Sequence, residues 1–140
     1  MRRTGAKGQA LVEFAVVVPL LMLLILGLFE FGRIYNAKLV VTQAVREGAR
    51  RAVVVTGTTQ AAKETAAKAQ AVTSTQDYAN NVGIAITVNT PTLVTVSGDA
   101  NKAIVVSAYY DVPLVIPTLG TILGTGANVR VTSTAEMRME

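Results

Sequence analysis

An apolar run near the start of this chain limits what it can become. Residues 14–29 are sixteen consecutive uncharged, mostly apolar side chains, and extending the segment back to Ala10 gives twenty residues with one carboxylate, Glu13, among them. As a helix rising about 1.5 Å per residue, twenty residues cover roughly 30 Å, one bilayer hydrocarbon core. An ionised side chain inside such a segment is expensive, about 2.5–3.5 kcal/mol at mid-helix on insertion scales. Glu13 therefore needs a partner or a role. A cleaved secretory signal peptide is the bland alternative, but its apolar region spans only about 7–15 residues and ends in a small-x-small cleavage site. This run is longer and lacks a persuasive site of that kind. Pro19 lies inside it, removes one backbone hydrogen bond and predicts a kink of the sort membrane helices tolerate.

Charge placement gives the segment a direction. Arg2, Arg3 and Lys7 precede the run, which favours a cytoplasmic N-terminus in the inner membrane, while Arg33 and Lys38 beyond it weaken that bias without reversing it. The net charge is +4, of which these three side chains supply three, so the rest of the chain is nearly neutral. Arg46, Arg50 and Arg51 cluster, but no aromatic residues interleave with them for base stacking, and nucleic acid is not an expected partner. There is no Cys and no His. That excludes disulfides and thiolate metal sites and removes the commonest general base, so neither an enzyme nor a cofactor or metal site is expected. Asp77, Asp99 and Asp111 fall in or beside predicted turns or at a strand end, where Asp serves turn chemistry. Asp99 and Asn101 beside Gly98 lack the full ligand spacing of a calcium loop.

The helical pattern does not stop with the apolar run. Between Glu30 and Val55 there is no Pro, and Ile34, Ala37, Val41, Ala44, Val45, Gly48, Ala49 and Ala52 recur mostly three and four residues apart. That spacing is an amphipathic stripe. Thr56 and Gly57 offer a stop, giving one helix of about 45 residues, apolar all round in its first half and amphipathic in its second. Thr58 or Thr59 is placed to cap a second, surface helix over residues 60–76, with Glu64 and Lys68 at i and i+4. Beyond it the period changes. Val82, Ile84, Ile86 and Val88 alternate, as do residues 129–139, and residues 93–96 and 102–112 also read as strands. Asn89-Thr90-Pro91 and residues 97–101 read as turns, and residues 114–127 as an irregular apolar loop with a helical turn near Thr118–Leu123. The predicted class is α+β: a long membrane-spanning helix continuing into a small head with a second helix and an antiparallel sheet of about four strands.

Three segments carry a family resemblance: Gly8-Gln9-Ala10-Leu11-Val12-Glu13-Phe14-Ala15, then Phe29-Glu30-Phe31-Gly32-Arg33, then Ala44-Val45-Arg46-Glu47-Gly48-Ala49-Arg50. The first resembles the processing site of type IV prepilins and pseudopilins. Together they resemble the TadE-like family, minor pseudopilins of the tight-adherence (Flp) pilus system. The match covers about the first 52 residues well and the last dozen loosely, and residues 56–128 carry no matched motif. The resemblance implies cleavage by a prepilin peptidase after Gly8, where a side chain would obstruct access to the backbone. It implies that Glu13, five places on, pairs with the new amine of Gln9 on a neighbouring subunit. Residues 1–8 would then be a leader, 9–30 a transmembrane segment and 31–140 an extracytoplasmic head.

The expected function is thus a structural one, in assembly or priming of a pilus. The expected partners are the prepilin peptidase, other pilin or pseudopilin subunits, the assembly machinery and membrane lipid. The alternative is an unprocessed single-span protein whose head is a binding module or an accessory subunit of another membrane complex. Glu30 and Arg33, three apart, are expected to form an ordinary interfacial ion pair. Arg46, Glu47, Arg50 and Arg51 read either as a solvated helix face or as a face that docks a partner subunit.

Overall fold

The computed structural model describes residues 5–95, 102–117, 120–121 and 124–139, in two compact units, one ending at Arg33 and the other beginning at Ile34. Helix α1, Gly5–Val53, is a single 49-residue element with Pro19 inside it. From Phe14 to Phe29 it is uncharged and almost wholly exposed: none of the most apolar 18-residue window, of mean hydropathy 2.7, is buried. By length and composition it can cross a membrane. Near its end Glu30 accepts from the Arg33 guanidinium at 2.7 Å, the expected i,i+3 pair.

The second unit is α+β, as the periodicities predict. Helix α2, Gln60–Asn81, starts where Thr59, in extended backbone, accepts the Ala62 N–H on its hydroxyl. It runs five residues past its expected end at Gln76. The reason is a stripe of small residues at four-residue spacing, Ala67, Ala71, Thr75 and Ala79, all buried. Large apolar side chains signal a buried face in sequence; these do not. The helix closes when Gly83 N–H donates to Asn80 and Ile84 N–H to Ala79, with Gly83 at φ +79. That closure corrects the expected first strand. Of Val82 to Val88, only Thr87–Val88 pairs, as β1. The alternation of Ile84, Ile86 and Val88 reports their half-buried positions and not a ladder.

The sheet also differs from a chain of hairpins. Strand β2 is Thr92–Thr95, β3 is Lys102–Pro113 and β4 is Asn128–Arg138. β4 pairs antiparallel with β3 along its length, from Ala103↔Arg138 to Pro113↔Asn128. β1 (Thr87↔Tyr109) and β2 (Thr92↔Val105) both pair antiparallel with β3, and therefore share its other edge. Asn89-Thr90-Pro91 consequently interrupts a strand and does not reverse it. Pro91 has no N–H to give a ladder. The predicted turn at residues 97–101, with Asp99 and Asn101, lies outside the described residues, as do Thr118, Leu119, Ile122 and Leu123 of the predicted helical turn. Pro117, Gly120 and Thr121 are helical. The Leu114 N–H donates to Ala127 and closes that loop.

The core is where the two periodicities meet. Ala37, Val41, Val45, Ala49 and Ala52 of α1 pack with Ile104, Val106, Ala108 and Val112 of β3, Val131 of β4 and Met139. Val41, Val45, Ile104 and Val106 are fully buried. Gly48 sets how near α2 comes: a Cβ there would lie 1.9 Å from Thr75 Oγ1 and 2.8 Å from the Ala71 carbonyl oxygen. Glu64, expected to pair with Lys68, instead accepts from Lys102 Nζ at 2.7 Å and so ties α2 to the start of β3.

Burial at Val41 gives a direct test. Val41→Asp places an unpaired carboxylate in the core and is expected to cost several kcal/mol of a stability of about 5–15 kcal/mol. Gln43→Asp, on the exposed face where Gln43 accepts from the Tyr78 hydroxyl, should cost less than about 1 kcal/mol. Thermal melts of the full chain in detergent would compare them, and equal losses would mean that the stripe does not bury as described.

Candidate processing and docking surfaces

The first candidate surface is the start of α1. Gly8, Gln9 and Glu13 are all exposed on helical backbone. Gln9 Nε2 donates to Glu13 Oε1 at 3.2 Å, one turn apart. Gly8 has nothing within 4 Å of the position a Cβ would take. A glycine inside a helix costs roughly 0.5–1 kcal/mol relative to alanine. No described contact within the chain requires that cost at Gly8, nor at Gly27 or Gly32, which are equally open. Around this segment the apolar side chains point outward, with Leu11 69% and Leu28 74% exposed. A surface so large, continuous and apolar marks contact with lipid or with other chains.

The second candidate surface lies at the C-terminal end of α1. Of the four residues predicted as a charged face, three form a closed cluster. Arg50 grips Glu47 through Nε and Nη2, both at 2.9 Å, and Arg51 Nε donates to it at 2.6 Å. The Glu47 carboxyl is held at about 2, well below its ordinary 4.5, first by the Arg50 hydrogen bonds and then by Arg51. Arg46 is exposed and forms no ion pair among the described residues.

Beside that cluster is a polar cavity of about 400 Å³, lined by Glu47 and Arg51 of α1 and by Ser74, Asp77, Tyr78, Asn80 and Asn81 of α2. Sequence reasoning placed Asp77 near a turn and ended α2 before Tyr78. The structure puts both on the helix. The recoverable signal was the polar set Ser74, Asp77, Tyr78 and Asn81, spaced to share a helix face beside the alanine stripe, with Ser74 buried alongside it. The lining can donate and accept hydrogen bonds. On the sheet, Asp111 at the expected strand end pairs with Arg130 at 2.7 Å, and that guanidinium stacks 4.2 Å over the Tyr109 ring.

The Glu47 cluster makes a pH prediction. A carboxyl depressed below its unfolded value contributes stability above about 4.5 and loses that contribution as pH falls toward 2. The pairs are partly exposed, so the effect should not exceed about 1 kcal/mol. Melting wild type and Glu47→Gln at pH 7 and pH 2.5 should show the smaller loss in the variant. Identical losses would remove Glu47 from the acid response.

Comparison with known proteins bears on the first surface above all. No curated protein and no solved structure is similar to this chain. Residues 8–50 match the family described as TadE-like protein, a match that begins at Gly8 and runs through Glu13 and the apolar helix to Glu47 and Arg50 of the charged cluster. Over this stretch of α1, about a third of the chain, the sequence is similar to TadE-like proteins.

Proposed function

We propose that this chain is a membrane-inserted, prepilin-like structural subunit, cut by a prepilin peptidase between Gly8 and Gln9 and acting in assembly or priming of a tight-adherence (Flp) type IV pilus. The observation that carries the reading is a coincidence. The TadE-like match over residues 8–50 falls on an exposed apolar helix that holds Gly8, Gln9 and Glu13 in its first turns. Residues 1–8 are then the leader, 9–30 the span and 31–140 the head, which lies outside the inner membrane while the N-terminus faces the cytoplasm. The open space at Gly8 is what a peptidase needs to reach the scissile backbone.

Cutting creates an ammonium group on Gln9. Within the chain Glu13 has a neutral amide donor, the Gln9 side chain. A neighbouring subunit's ammonium is a stronger one, since charge-assisted hydrogen bonds are roughly twice as strong as neutral ones. Pairing also neutralises a carboxylate that is costly in hydrocarbon. Arg46 and the Glu47–Arg50–Arg51 cluster dock another pilin subunit. The protein works by packing and not by chemistry.

Replacing the glycine tests the processing step. Gly8→Val should leave the full-length precursor in the membrane, and unchanged cutting at the same bond would show that the motif has been misread. Glu13 is tested separately. Glu13→Val lowers the cost of membrane insertion, so membrane fractionation should be normal while shed pili are strongly reduced. Normal piliation would reduce Glu13 to a boundary residue.

A further inference from the structure

Strand β4 forms one edge of the sheet: among the described residues it pairs with β3 and with no other strand. The ladder fixes which of its backbone groups are engaged. Met139 N–H donates to Lys102 and Leu114 N–H to Ala127, so odd-numbered residues of β4 face β3. The N–H and C=O groups of Asn128, Arg130, Thr132, Thr134, Glu136 and Arg138 consequently point out of the sheet. The same six side chains are exposed, and the odd-numbered ones are buried or half-buried. An outward-facing strand of 11 residues is a template for another strand.

Its side chains indicate which strand. The sequence from Asn128 to Arg138 is centred on Ser133. Laid antiparallel against itself about that residue, it sets Arg130 opposite Glu136 twice and Thr132 opposite Thr134 twice. On the other face it sets Val129 opposite Met137 and Val131 opposite Ala135. Opposite charges, Thr pairs and apolar pairs are the cross-strand combinations that stabilise a sheet, at about 0.2–1 kcal/mol each. Shifting the register by two residues in either direction separates both Arg130–Glu136 pairs. Glu136 has no ion-pair partner among the described residues of its own chain, whereas Arg130 already holds Asp111 and is shared with the partner's carboxylate in this pairing.

We propose that the outer edge of β4 is a homotypic pairing site, at which a second copy of this chain adds its own β4 antiparallel in register about Ser133. One feature opposes the union and is part of it. Lys38 Nζ donates to the Thr132 carbonyl, one of the outward acceptors. A lysine on an edge is a common guard against unwanted pairing. Association exchanges that bond for the partner's backbone N–H.

The chain has no Cys, so disulfide trapping reads the geometry directly. In this register Ser133 meets its own copy as a non-hydrogen-bonded pair with Cα atoms about 4.5 Å apart, within disulfide reach. Full-length Ser133→Cys, oxidised in membranes, should give a dimer of twice the chain mass, well above a Thr65→Cys control on the exposed face of α2. Adding Thr134→Pro removes an outward N–H without touching the β3 ladder, and adding Glu136→Arg replaces two attractions by two repulsions. Each should lower dimer yield about tenfold or more. Adding Lys38→Met should raise it. Melting curves of both variants establish that the head is folded, and Glu136→Arg, a surface change, decides if Thr134→Pro is not. The proposal is overturned if Ser133→Cys traps no more dimer than the control. An undiminished yield with Glu136→Arg overturns it too, as does an adduct whose mass is that of another protein.

Discussion

Everything in this protein follows from a helical surface that water cannot solvate well. From Phe14 to Phe29 the side chains of α1 are uncharged, mostly apolar and almost all exposed, in every direction. No rearrangement within one helix can hide a surface that is apolar all round; only lipid or other chains can. Glu13 adds a second demand, because a carboxylate in that environment needs a cation or a strong donor. The Gln9 amide meets that demand partly. On the proposed reading an amine released on a neighbouring subunit meets it fully, so that lipid holds the subunit and the carboxylate selects its place among other subunits.

The head is built by a different use of the same helix type. Past Ile34 the apolar positions collapse to one stripe, and the sheet supplies the matching face. Its buried residues are mostly Ala and Val, with no Trp in the chain and few aromatics to fill space. Small residues let the elements approach closely, as at Gly48 against Thr75, and such contacts are intolerant of added volume. Ion pairs at the surface, Lys102 with Glu64 and Arg130 with Asp111, set register and spacing more than they add stability.

How much of this was legible in the sequence depended on residue size. The α1 stripe was read position by position because Val41 and Val45 are apolar by any scale, and the long strands β3 and β4 were bounded within a residue or two. The extension of α2 was missed because its buried face is Ala67, Ala71, Thr75 and Ala79, residues that look like surface filler. Ile84 and Ile86 misled in the opposite sense, since an alternating apolar pattern registers burial whether or not a neighbouring strand is present. That β1 and β2 share one edge of β3 was invisible, because Asn89-Thr90-Pro91 is as good a turn as it is a break. The partial closure of the predicted docking face through Glu47 was not foreseen either. Four charges on one helix face say nothing about which of them bind each other, and the polar cavity beside them needs residues from α2 that only the fold brings there.

The central claim is that Gly8 and Glu13 belong to a processing and assembly signal and not to a simple anchor. The most direct measurement is the N-terminus of the wild-type protein recovered from the membrane fraction of cells that also make the prepilin peptidase, read by intact-mass and peptide mass spectrometry. The account predicts a mature chain beginning at Gln9, with the first eight residues gone. A protein that retains Met1 and the basic residues after it would contradict the account, and would leave the apolar helix as an uncut anchor for the head.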